Sequence, residues 1–316
     1  MSPNGPDERA RGVAYAVTTY LAWGLLPLYF KALRAVPAVE VLAHRVVWSL
    51  LLLAAVVGAR AGARGLAAPF RRVGPLAATT ALIATNWLVY IWAVQSGRVL
   101  EASLGYFVNP LVNVLLGVAF LDEALSRRQR AAVALAGAGV AVLVVRAGTI
   151  PWISLVLAAT FGLYGLLRKR AAIDPIGGLL AETALLAPPA IALLAWRAAA
   201  GAGAFGTGAG TSLLLAAAGP ITALPLVGFG LAVHRLRLST MGLVQYLAPT
   251  GQFLLAVLLY REPFGPAHAA AFGLIWAALA LYTTDAIARS RTERAGARRA
   301  GQEVASPGEQ EPRSRG

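Results

Sequence analysis

The sequence predicts an all-α integral membrane protein of ten transmembrane helices in two inverted five-helix repeats. Three observations lead there. Residues are 58% hydrophobic and only 13% charged, which leaves far too little polar surface for a soluble domain. Apolar runs of about 17 to 23 residues, long enough to cross roughly 30 Å of hydrocarbon, recur along almost the whole chain. The second half also repeats the first at a nearly constant offset.

The spans fall in order at 12–33, 39–59, 74–94, 100–121, 130–145, 151–167, 177–197, 211–233, 239–260 and 266–287. The first follows Asp7 and Glu8; it is too long for a signal-peptide core and is kept as a mature span. The second carries His44 and Arg45, the third Asn86, Trp87 and Tyr90, and the seventh Glu182. Glu101 opens the fourth, where a carboxylate suits the positive end of the helix dipole. Residues 198–210 read as a Gly/Ala-rich linker. From 288 onward the composition turns to Arg, Glu, Gly and Pro, which predicts a disordered basic tail over 288–316. Its arginines at 289, 291, 294, 298 and 299 suit anionic lipid.

The repeat is legible at single residues. Asn109-Pro110 precedes Asp122-Glu123 as Ala248-Pro249 precedes Arg261-Glu262, at a shift of 139 residues. Trp23-Gly24 matches Phe161-Gly162, Pro37 matches Pro175 and His44 matches Glu182, at a shift of 138. Residues 12–145 and 151–287 are the two predicted repeats. Five spans per repeat is an odd number, so the halves must be upside down relative to each other, the arrangement of many secondary transporters. With the N-terminus in the cytoplasm, most of the 28 Lys and Arg fall on the inner side, which predicts that both termini are cytoplasmic. The formal charge of +14 then reads as topology signal, and no nucleic-acid partner is expected.

Several polar residues lie inside spans. Pro110 and Pro249 each remove a backbone hydrogen bond and free the carbonyl of Tyr106 or Gln245; they are candidate hinges. Tyr106, Asn109 and Asn113 share a face of span four, and Gln245 and Gln252 a face of span nine. Such amides glue helices together or hydrogen-bond a solute. His44 and Glu182 each stand seven residues beyond a loop proline, about 10 Å into the membrane, where ionisable groups are costly. Arg45 could hold an anionic group or neutralise Glu182, and Glu40 could pair with His44. A proton-coupled mechanism would use His44 or Glu182. Asn86 with Trp87 and Tyr90 could wall a cavity. Asp122-Glu123 and Arg261-Glu262 read as polar helix ends.

The chain has no Cys and three His, and the histidines are scattered, so no disulfide, metal or other cofactor is expected. It carries no GxxxxGK[ST], HExxH or GxSxG motif, and no enzyme is predicted.

The strings Tyr20-Leu-Ala-Trp-Gly24, His44-Arg-Val-Val-Trp-Ser49, Asn86-Trp87, Leu100-Glu-Ala-Ser-Leu-Gly-Tyr-Phe-Val-Asn-Pro-Leu-Val-Asn113 and Arg235-Leu-Arg-Leu-Ser-Thr240 resemble the RarD proteins. These are EamA-type members of the drug/metabolite transporter superfamily, named in connection with chloramphenicol sensitivity. The resemblance runs from about Gly12 to Ile287. It implies a bacterial inner-membrane permease that moves a small organic metabolite or drug by alternating access, with export favoured over import. Helix one has no acid, so the helix-one glutamate mechanism of the small multidrug-resistance proteins does not transfer. The expected substrate contacts are Asn86, Tyr106, Asn109, Asn113, Glu182, Gln245 and Gln252, with His44 and Arg45 gating or coupling an ion. The lipid bilayer and a small molecule are the expected partners; monomer and homodimer both stay open. The competing reading is a membrane sensor or scaffold that does not transport.

Overall fold

The computed structural model describes residues 6–67, 73–121, 125–148, 150–171, 175–233, 235–236 and 238–305. They form helices α1 (Pro6–Ala32), α2 (Ala38–Ala67), α3 (Val73–Gln95), α4 (Val99–Leu121), α5 (Arg127–Ala147), α6 (Trp152–Ala171), α7 (Pro175–Ala199), α8 (Ala209–Val233), α9 (Leu238–Val244) and α10 (Leu247–Leu254). A π-helical segment (Leu255–Leu259) follows α10 directly, and α11 (Pro266–Ala305) ends the described chain. Asp122, Glu123, His234 and residues 306–316 lie outside the described residues, as do the side chains of Lys169 and the tail arginines.

Eight of these helices are long and apolar enough to cross a membrane, and Trp152–Arg168 and Leu247–Leu259 are shorter apolar helices. The short ones have local causes. The run in α6 stops at Arg168, which turns into the bundle. The ninth span, expected as one kinked helix, is broken between α9 and α10 at Gln245 and Tyr246. Pro249 has no N–H, and its ring crowds the Gln245 carbonyl. That carbonyl accepts from the Ala248 N–H at 3.3 Å, so it is satisfied by a tightened turn. Pro110 leaves α4 continuous.

The helix pairing maps onto itself when the two halves are exchanged. α4 packs on α6 as α10 packs on α1; α3 packs on α6 as α8 packs on α1; α2 packs on α8 as α7 packs on α3. The pairs α2–α7, α5–α11 and α4–α10 close the bundle across the halves. Single contacts repeat as well. A Cβ on Gly24 would lie 3.3 Å from the Ala248 carbonyl, and one on Gly162 3.0 Å from Val112, so small residues set both crossings. The Thr19 hydroxyl donates to the Pro225 carbonyl at 3.3 Å, and Asn86 donates to the Leu157 carbonyl at 3.0 Å. These two bonds fall at equivalent repeat positions.

Polar ties fix the two ends of the bundle. At one end Glu40 accepts from Arg197 Nε at 2.7 Å and from the Ala204 N–H at 2.6 Å, so the linker of 198–210 is a structured turn. At the same end both carboxylate oxygens of Glu262 accept from the Val99 and Leu100 N–H groups at 2.8 Å. At the other end Arg235 donates to Glu8 at 2.9 Å and Ser126 to Asp285 at 2.9 Å. The tail departs from expectation: 288–305 continues α11 as helix. Its Ala, Arg, Glu and Gln are strong helix formers, and the preceding span supplies the nucleus.

Candidate functional site

Arg45 lies at the centre of the site. It is 8% exposed and stands two turns into α2. Its Nε donates to the Thr222 hydroxyl of α8 at 2.9 Å. Its guanidinium lies 4.1 Å from the Trp87 ring centroid and 5.7 Å from that of Phe30. No carboxylate pairs with it among the described residues. Burying an ion costs several kcal/mol, while one ring face returns about 0.5–2 kcal/mol. The rings and the one hydroxyl therefore offset part of that cost.

The sequence allowed Arg45 to neutralise Glu182, and the structure corrects this. Glu182 is fully buried, but its partners come from α6 and α3: Arg168 NH1 at 3.2 Å, the Tyr164 hydroxyl at 3.1 Å and the Thr79 hydroxyl. Tyr164 and Arg168 stand four apart, so α6 presents both on one face. That spacing was visible in the sequence; Arg168 was passed over because its place at a span end read as topology signal. His44 does not pair with Glu40, whose carboxylate is taken by Arg197 and Ala204. His44 is 6% exposed and stacks on Phe205, with ring centroids 5.3 Å apart at 26°.

Between Arg45 and Glu182 runs a path of aromatic and amide groups. Trp87, over Arg45, is followed on α3 by Tyr90, which meets Tyr106 of α4 edge-on at 5.6 Å. The Tyr106 hydroxyl donates to Asn86 Oδ1 at 3.2 Å, and Asn86 Nδ2 donates to the Leu157 carbonyl and to Thr160 at 2.9 Å. Tyr106 then meets Phe161 at 6.2 Å, and Phe161 meets Tyr164 at 6.1 Å, which reaches Glu182. Asn86 and Tyr106, which the sequence placed in separate groups, are thus joined by a hydrogen bond, with Trp87 and Tyr90 in the same region.

The remaining candidates divide. Asn109 is 9% exposed and its Oδ1 has no partner among the described residues. Gln252 is 3% exposed; it donates to the Trp23 carbonyl at 3.2 Å, and its Oε1 has no partner. Asn113 is exposed beside Gly162 at the α4–α6 crossing, away from Asn86. Gln245 is half-buried at the break in the ninth span. Pro110 and Pro249 are buried in α4 and α10. No group of three or more His, Asp or Glu side chains is placed to hold a metal among the described residues.

Comparison with known proteins decides the family. The EamA-like transporter family matches residues 10–145. A protein of Streptomyces exfoliatus called "Protein RarD" is 46% identical over 92% of this chain and 93% of its own length. The chain belongs to the RarD proteins of the EamA-like transporter family. A second RarD relative, from Pseudomonas aeruginosa strain PAO1 and called "Chloramphenicol-sensitive protein RarD", is 34% identical over 87% of this chain and 94% of its own. A crystal structure matches 86% of this chain and 97% of its own with TM-score 0.57 at 20% identity, a likeness of fold. RarD chains are membrane transporters by family, and the eight membrane-length and two shorter apolar helices among the described residues agree. The path joins α3, α4 and α6, so it crosses from one half of the molecule to the other.

Proposed function

We propose that this protein is a permease that carries a small organic solute across the bacterial inner membrane by alternating access. Residues 12–145 and 151–287 are the two halves that rock against each other, with both termini cytoplasmic and export the favoured direction. The observation that carries the reading is the run of polar and aromatic groups from Arg45 to Glu182, buried at both of its charged ends. Ionisable groups at this depth are expensive and mark solute or ion pathways. Asn86, Tyr106, Asn109 and Gln252 supply hydrogen-bonding groups to the solute. The Glu182–Arg168 pair couples the cycle to protons: protonating Glu182 releases Arg168 as the cavity changes sides. Pro110 and Pro249 act as hinges, Pro249 the looser because its helix is already broken.

The test is flux in proteoliposomes, with and without an imposed pH gradient, for a panel of small metabolites and drugs. Chloramphenicol belongs in the panel because of the name of the Pseudomonas relative. Gradient-driven flux that Glu182→Gln abolishes, in protein that stays folded, is the expected result. Flux that ignores both the gradient and Glu182→Gln would return the Glu182–Arg168 pair to a structural role. A panel without any flux, against a dry Arg45 region, would favour a sensor or scaffold.

A further inference from the structure

Among the described residues the surroundings of Arg45 hold unused polar groups but no carboxylate. Among the described residues the Tyr90 hydroxyl is buried without a partner, as are Trp48 Nε1 and the Ser49 hydroxyl. Ser49 stands four residues beyond Arg45, on the same face of α2, and the Trp48 ring beside it lies 6.0 Å from Phe205. An indole N–H can only donate, and so can a guanidinium. The acids of the bundle are committed elsewhere: Glu182 to Arg168, and Glu40 to Arg197. A buried cation among unused donors lacks one thing, an acceptor with negative charge.

Resting on the permease reading, we infer that Arg45 and its neighbours form a subsite for the anionic group of the transported solute, an organic anion of carboxylate type. The guanidinium supplies the charge and the fork that matches a carboxylate. Tyr90 adds a hydrogen bond, and the ring of Trp87 holds the guanidinium against α3. Thr222 fixes Nε, leaving the terminal nitrogens for the solute.

The chain contains no cysteine, so a single introduced thiol reports on this place alone. Thr222→Cys puts a sulfur of similar size beside Arg45. It is labelled in native membranes with an anionic methanethiosulfonate bearing a sulfonate and with a cationic one bearing a trimethylammonium. The sulfonate reagent is expected to react about 10-fold faster or more. Adding Arg45→Gln should collapse that preference, and Arg45→Lys, which keeps the charge, should retain it. Equal rates for both reagents, unchanged by Arg45→Gln, would overturn the anion subsite while leaving a water-filled route for transport. No labelling by either reagent in folded protein, with full labelling after denaturation, would show a sealed structural cluster. That outcome would overturn the subsite and also deprive the permease reading of its path here.

Discussion

Glu182 and Arg168 are the pair whose single mutants should be read first. Removing one partner strands a buried charge, whereas removing both leaves none. Arg168→Met is expected to destabilise the protein by about 3–5 kcal/mol, and the double change with Glu182→Leu to recover most of that loss. Thermal unfolding of the three variants in detergent checks it; equal losses in single and double variants would show that the pair is not coupled. A second residue-scale expectation concerns Asn86, which ties α3 to α4 and α6. Asn86→Ala should cost about 1–2 kcal/mol, measured in the same assay. The sequence picked out Asn86, Asn109, Glu182 and Gln252, which are buried, but also Asn113, which is exposed although it stands inside an apolar run. It did not show their partners. Thr222 is 177 residues from Arg45, and Arg168 and Tyr164 stand on the helix before Glu182; which helix faces meet decides those contacts.

Among the elements, backbone approach sets the helix crossings. A Cβ on Gly219 of α8 would lie 2.6 Å from the Trp48 carbonyl of α2, whereas nothing lies within 4 Å of one on Gly230. Gly219→Ala should therefore force α2 and α8 apart at a cost of about 1–3 kcal/mol. Gly230→Ala should be neutral or stabilising by up to about 1 kcal/mol, through helix propensity. Thermal unfolding of the two variants separates these outcomes. Span positions and the two halves were legible because hydrophobic length and the repeated prolines are local signals. The break in the ninth span was not, since Pro110 and Pro249 look alike in sequence while one helix stays whole and the other splits. The helical continuation of α11 to Ala305 was missed because a polar composition was read as disorder, though its residues favour helix.

For the molecule as a whole, the permease reading requires the ties at the bundle ends to hold in one state and let go in another. Arg235 joins the loop between α8 and α9 to Glu8 at the start of α1, and Arg11 pairs with Glu8 as well. The hydrogen bond from Arg235 is the main reason the Glu8 carboxyl lies below its ordinary value of 4.5. A carboxyl lowered by folding contributes its stability above the unfolded value, and that contribution is lost as pH falls through the folded one. Glu8→Gln should lower Tm slightly at pH 7, and the gap from wild type should close below about pH 4. A gap that persists at low pH would assign the effect to packing.

A permease of this architecture requires two packed halves to exchange access between the ends of the bundle. Paired spin labels on the cysteine-free chain measure this directly. One pair, Ala35→Cys with Ala200→Cys, reports on the end held by Glu40 and Arg197. The other, Arg128→Cys with Arg170→Cys, reports on the opposite end. All four residues are exposed. Each pair is expected to show two distances in lipid nanodiscs, and low pH should shift the populations in opposite directions at the two ends. A single narrow distance at both ends, unmoved by pH or by a transported solute, would contradict alternating access.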